Sequence, residues 1–324
     1  MKAIICEKYG DPKDLIYGDV EKPSPSENEV LVKIYATAVN DYDWGSVRGR
    51  PYLYRLLFGV LKPKSKIPGM EVAGVVEEVG TKVSSFKTGD RVYGDTSEFG
   101  FGSFAEYMTV NEAALTLMPA KMSFTEAASI PHASILALQG LKDKGGIKNG
   151  QLILINGGGG GVGTFGLQLA KLYDAEVTGV DTGEKLQMMK SLGFDHIIDY
   201  KKEDFIKNGQ EYDLILDAKT NRSPRSYLPS LSPNGTYVTV GGKLSKLLKI
   251  VSFGPILSKL TGKNLKLLPL EPNKGMDYIN ELYSDNKLKC IIDGPYPLEE
   301  TPTAIQYFGE GLHSGKVVIS VFED

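Results

Sequence analysis

One stretch constrains this chain more than any other: ILINGGGGGVGTFGLQLAK, residues 153–171. Gly158, Gly160 and Gly163 stand at G-x-G-x-x-G spacing, with Gly161 and Val162 between them. An apolar, strand-like run precedes the glycines and a helix-like run follows, the context that gives this spacing meaning. Glycines permit a tight turn and let the backbone approach a pyrophosphate. The N-terminus of the following helix then offers unpaired N–H groups and a partial positive charge to the phosphates. Gly166 would let that helix lie close to the sheet. These residues are therefore candidate contacts of a dinucleotide.

The chain around the loop supports the same reading. QLILIN, AEVTGVD, HIID, YDLILDA and TYVTV read as strands, with helices expected over 162–173 and 184–192. Such alternation predicts a doubly wound parallel sheet covered by helices, the Rossmann arrangement. Asp181 ends the second strand, where a carboxylate commonly bonds the adenosine ribose and repels a 2′-phosphate. Lys185 and Tyr200, the latter followed by two lysines, offer groups that would hold such a phosphate. The residues alone leave NAD and NADP both open. Gly241 and Gly242 close a later strand at the sheet's carboxyl edge, where backbone is placed to meet a nicotinamide.

Residues 1–119 have a different character. KAIIC, EVLVKIYATAV, EVAGVVEEVG and DRVYG are short, β-rich and bounded by turn residues, which predicts a compact β domain. A largely apolar helical pattern over 123–141 must break or kink at Pro131. After 271 one helix, 276–283, and the strand KVVISV are expected to pack back onto the first domain. The division predicted is 1–119 with 272–324, and 120–271.

With 324 residues the chain has room for two cores. A net charge of -3 gives no general attraction for nucleic acid or acidic membranes. Two distant cysteines argue against a disulfide framework and a Cys-rich zinc site. MKAIICEKYG turns polar at once, unlike a secretory signal. The Leu- and Lys-rich stretch 243–270 is interrupted by Gly254, Pro255 and Gly262, so no membrane span is expected. A cytoplasmic location is the expectation.

KAIICEKYG, IPGMEVAGVVEEVG, FKTGDRVYG, GSFAEYMTV, the glycine loop and GKVVISV occur in one order over nearly the whole chain. In this the chain resembles the medium-chain dehydrogenase/reductase superfamily, and within it the zinc-free quinone oxidoreductase and enone reductase branch. The resemblance implies a GroES-like catalytic domain, a Rossmann cofactor domain, a cleft between them, hydride transfer from a reduced nicotinamide cofactor, and a homodimer. It leans towards NADP(H), with NAD(H) still open. Zinc-dependent members place a cysteine where this chain has Asn40 and a histidine where it has Met70. Their third ligand falls near His132 and Ala133. A neutral amide and a thioether are poor zinc ligands, so no metal is expected.

Asn40 thus becomes a candidate for bonding substrate or cofactor ribose. Asp43 would orient Asn40 or His132, or cap the following helix. His132 is one of three histidines and is either structural or a proton and hydrogen-bond donor. Tyr42 and Tyr52 are further possible donors among 17 tyrosines. Glu71, retained from the family motif, is expected to act locally. Lys316 matches a residue near the cofactor in this branch, or is a surface lysine. The basic, aromatic segment 48–66 is either a lid or a surface loop. The reading is reduction of a small-molecule quinone, enone or enal by NAD(P)H. A non-catalytic NADPH-binding protein is the alternative, and a zinc alcohol dehydrogenase the weakest third.

Overall fold

The computed structural model describes residues 1–323. Contacts divide the chain into two compact units. One comprises Met1–His132, Pro272–Asn280 and the C-terminal segment from Cys290; the other Ala133–Glu271 and Glu281–Lys289. The change of unit therefore falls later than residue 119, where strand character ends. Glu281–Lys289 groups with the second unit.

The second unit is built on six strands, all parallel. From one edge to the other they are His196–Asp199, Glu176–Asp181, Leu152–Asn156, Tyr212–Asp217, Leu231–Thr239 and Asn264–Leu267. In sequence order this is 3-2-1-4-5-6, the doubly wound Rossmann order. The central strands are buried on both faces, with Ile153, Leu154, Ile155, Leu214, Ile215 and Leu216 almost inaccessible. Continuous apolar runs rather than alternating ones follow from that placement.

The helix Leu244–Thr261 runs through Gly254 and Pro255, two of the residues that interrupt the apolar stretch 243–270. Pro255 removes the N–H that would bond the carbonyl of Val251. Val251 and Pro255 are both exposed, so that carbonyl belongs to the side of the helix turned away from the sheet. Gly262, with φ 71°, ends the helix. The buried Ile250, Gly254 and Leu257 recur at helical spacing and pack with Leu265 of the last strand. Among the described residues no helix is long and apolar enough to cross a membrane.

The first unit holds a sheet in which Glu29–Ala38 is central. It pairs antiparallel with Glu71–Val79, Tyr107–Asn111 and Lys316–Ser320. Arg91–Asp95 follows beyond Glu71–Val79, and Lys2–Ile5 pairs separately with Ile16–Asp19. Alternating Val30, Val32 and Ile34 pack with Val72, Val76 and Val92 into one core. The helical pattern expected over 123–141 breaks where Pro131 requires. One helix is Phe124–Ser129 and the next, Pro131–Leu138, begins at the proline and passes into a π-turn over Gln139–Lys144. Pro at a first helical position costs no hydrogen bond, because that N–H has no partner within the helix.

Candidate active site

The glycine loop sits where its spacing predicts, between the strand Leu152–Asn156 and the helix Gly161–Lys171, with Gly160 as N-cap. The loop therefore leaves the sheet at the carboxyl end of a strand beside the point where strand order reverses. First-turn amides of a helix lack intrahelical acceptors, which directs those of Gly161, Val162 and Gly163 out of the helix end. Gly163 is required sterically: a Cβ there would lie 2.3 Å from the Gly157 carbonyl oxygen. Only glycine lets this helix approach the loop so closely. Gly160 has extended dihedrals that any residue adopts, so no backbone constraint explains it. The loop, with its packing and helix end, fits a dinucleotide pyrophosphate.

Asp181 and Lys185 do not stand apart as competing surface charges. Each is 7% exposed, and the Lys185 ammonium is 3.6 Å from one Asp181 oxygen. Asp181 also accepts from the Gly159 N–H at 3.0 Å and the Thr182 N–H at 3.0 Å. The carboxylate is thus tied to the glycine loop and partly neutralised. Tyr200 is exposed and lies just past the third strand, its N–H bonded to the Asp181 carbonyl at 3.1 Å. Gly242, at φ 135°, lies against Thr220, whose oxygen a Cβ would meet at 2.4 Å; Gly241 accepts from the Thr220 N–H. Sequence reasoning missed the polar floor of this edge. Asp217, fully buried, accepts from Asn156 Nδ2 at 2.8 Å and the Tyr237 hydroxyl at 2.7 Å.

In the first unit the structure gathers most of the remaining candidates into one buried network. Asn40 caps the helix Asp41–Arg48. Asp43, in that helix's first turn, accepts the Asn40 N–H at 2.8 Å and the Gly69 N–H at 3.1 Å. It therefore caps the helix and also fixes the loop before Met70. Burial pushes the Asp43 carboxyl up to about 7, against the pull of those N–H groups and of Lys316. The Asn40 side-chain amide donates to Glu71 at 2.7 Å and accepts from the Lys316 ammonium. Lys316 is 2.5 Å from the same Glu71 oxygen. At 4% exposure it is not a surface lysine; its charge is spent inside the network. The other Glu71 oxygen accepts the backbone N–H of His132 at 2.7 Å, a first-turn amide of the helix begun by Pro131.

The His132 ring is buried, and its Nδ1 is 2.8 Å from Asp95 Oδ2. Tyr42 meets it edge-on, ring centroids 5.8 Å apart. Burial holds the Tyr42 phenol above its ordinary value, so it keeps its proton. Tyr52 is not brought here. It is 67% exposed, with the guanidinium groups of Arg50 and Arg55 beside its ring. The segment 48–66 includes a short helix, Tyr54–Phe58. With residues 97–101 it lines a cavity of about 370 Å³ whose walls include Phe58, Phe99, Phe101, Ser46 and Lys64. Phe58 also meets Tyr42, at 6.2 Å.

The donor set does not fit zinc. Positions that hold ligands in the zinc-dependent members carry an amide and a thioether, and the Lys316 ammonium bonds both Asn40 and the retained Glu71. A divalent cation beside that ammonium would be repelled.

Residues 26–120 match the alcohol dehydrogenase GroES-like domain, and residues 192–319 the zinc-binding dehydrogenase model. The latter range contains neither Asn40 nor Met70. A 2-methylene-furan-3-one reductase of Solanum lycopersicum is 34% identical, covering 98% of this chain and 79% of that protein. An NADPH-dependent alkenal/one oxidoreductase, chloroplastic, of Arabidopsis thaliana is 31% identical over 98% of this chain and 79% of its own length. The solved quinone oxidoreductase of Coxiella burnetii superposes with a TM-score of 0.86 at 28% identity, covering 99% of each chain. With identity spread over the whole length and both units in their family arrangement of strands, this chain belongs to the medium-chain dehydrogenase/reductase superfamily, in its quinone oxidoreductase and enone reductase branch.

Proposed function

We propose that this protein reduces a quinone or an α,β-unsaturated carbonyl compound at the expense of NADPH and without zinc. The carrying observation is the Asn40–Glu71–Lys316 network, in which an internal cation bonds Asn40, the residue at a ligand position of the zinc-dependent members. When bound, the cofactor supplies the hydride. The chain's own residues hold the pyrophosphate at Gly158, Gly160, Gly161, Val162 and Gly163. They provide hydrogen bonds for an oxygen that gains charge. Tyr42 keeps its proton and is one candidate donor, and His132, whose Nδ1 is bonded to Asp95, is the other. Preorganised donors of this kind are worth several kcal/mol where charge develops. The apolar walls of the cavity beside Phe58 suit an apolar substrate body.

The NADP preference rests on the relative whose name includes NADPH, and on Lys185 blunting the charge of Asp181. A cytoplasmic location and a homodimer are part of the same proposal. Cell fractionation checks the first. The exposed apolar side of the helix Leu244–Thr261, with Val251, Phe253 and Ile256 each more than half exposed, supports the second.

The test is NADPH consumption by chelator-treated protein. The panel is a short enone, a long-chain enal, a benzoquinone and a naphthoquinone. Turnover that survives chelation is expected. NADPH binding without turnover on any of the four would favour a non-catalytic cofactor-binding protein. Activity restored only by zinc would overturn the metal-free reading.

A further inference from the structure

The Asp95–His132 contact is held on both of its sides, and the two residues come from places the sequence does not connect. Asp95 ends the strand Arg91–Asp95 with its side chain fully inaccessible. Its backbone is clamped by Asn273, which accepts the Asp95 N–H and donates to the Asp95 carbonyl, both at 2.8 Å. One carboxylate oxygen, Oδ1, accepts the Ser97 N–H at 2.9 Å, so the carboxylate cannot rotate freely. The other, Oδ2, is left for His132 Nδ1. Burial pushes the Asp95 carboxyl up, yet the bond to His132 and the Ser97 contacts outweigh it and hold the carboxyl below its ordinary value. The backbone of His132 is itself pinned by Glu71, and its ring lies steeply inclined to that of Tyr42.

We propose that Asp95 is a positioning residue that fixes His132 as the Nδ1–H tautomer and makes Nε2 the atom through which protons pass. An ionised carboxylate accepts only, so it retains the Nδ1 proton whether the ring is neutral or charged. Any proton that enters or leaves must then use Nε2. This rests on the reduction proposed above. Hydride from NADPH forms a C–H bond at the far carbon of the C=C bond, and the cofactor becomes NADP⁺. The π pair moves towards the carbonyl, giving an enolate. Protonated His132 gives its Nε2 proton to the enolate, completing the saturated carbonyl compound. The ring is left neutral, still protonated on Nδ1, and water returns a proton to Nε2.

The contact makes a specific prediction for Asp95→Asn. Ser97 donates to the Oδ1 position, so the amide oxygen must occupy it. The amide NH₂ then faces His132 Nδ1, where only a bare nitrogen accepts it. The variant should hold the ring as the Nε2–H tautomer, the wrong one for uptake at Nε2.

Three histidines make the ring observable by ¹⁵N NMR, with His132→Gln as the assignment control. The parent should show a protonated Nδ1 and an unprotonated Nε2 in the neutral ring, and Asp95→Asn the reverse. In turnover with an enone, Asp95→Asn and His132→Gln should each lower kcat by about a hundredfold or more. KM and the NADPH dissociation constant should stay within about threefold, and the double variant should be no slower than His132→Gln alone. Asp95→Glu should recover part of the loss. A parent ring protonated at Nε2, or an Asp95→Asn protein that keeps its kcat, overturns the inference. If the parent turns over no quinone or enone, the proposed reduction fails instead, and the tautomer measurement still decides for or against Asp95.

Discussion

Asp43 shows how burial turns a capping residue into a pH-dependent one. Its carboxyl is pushed from an ordinary value near 3.8 to about 7. A carboxyl whose folded value is raised favours the folded state below the unfolded value. That contribution is lost as pH rises through the folded one. Between about pH 4 and about pH 7 the parent should therefore lose stability relative to Asp43→Asn, which cannot ionise. The expected size is a few kcal/mol, and urea midpoints of both proteins at several pH values measure it. Curves that stay parallel across that window would show that Asp43 does not titrate there. Asp181 and Lys185 make a second prediction at this scale. Because they are paired, removing the lysine leaves the carboxylate to repel a 2′-phosphate, and removing the carboxylate leaves the lysine to attract it. Lys185→Ala should lower the NADPH-to-NADH ratio of kcat/KM and Asp181→Ser should raise it. A charge contact of about 1 kcal/mol corresponds to a factor of roughly five. Kinetics with both cofactors at one ionic strength decide it, and unchanged ratios would remove the adenosine ribose from between these side chains.

Among the elements, the helix Phe124–Ser129 begins with a capping box of Ser123 and Glu126. Ser123 Oγ accepts the Glu126 N–H and Glu126 accepts the Ser123 N–H. Ser123→Ala should cost about 1 kcal/mol and lower the melting temperature by roughly 2–4 °C, as calorimetry would show. Local signals were legible: the glycine loop, the break at Pro131, and strands rich in β-branched residues. The strand Asn264–Leu267 was not, because N-L-K-L is short and has no β-branched residue. Its place is set by pairing with Leu231–Thr239. Nor was the continuity of Leu244–Thr261 through Pro255, which depends on which side of the helix faces water. In the candidate site, Asn40, Asp43, Tyr42 and His132 were chosen from the sequence, and the fold places them in contact or within one network. Asp95 was not. Its partner lies 37 residues away, and that of Lys316 lies 276 away. Nothing local in DRVYGD or SGKVV signals contacts of that range.

For the whole molecule, the apolar residues exposed on Leu244–Thr261 are more than a solvated helix face needs, and a second copy is the occupant proposed for them. Sedimentation equilibrium should give a dimer, and Phe253→Asp with Ile256→Glu should shift it to monomer while NADPH binding remains. A parent that is monomeric at micromolar concentration would remove this part of the account. Hydride is proposed to pass from NADPH to an activated double bond in a protein whose Asn40 and Glu71 both bond an internal ammonium, that of Lys316. The most direct measurement uses NADPH deuterated at the hydride position, an enone, and chelator-treated protein, with the product read by mass and NMR. One deuterium is expected, carried on the carbon β to the carbonyl. Product without deuterium at that carbon, or deuterium on the carbonyl carbon of an alcohol, would contradict it.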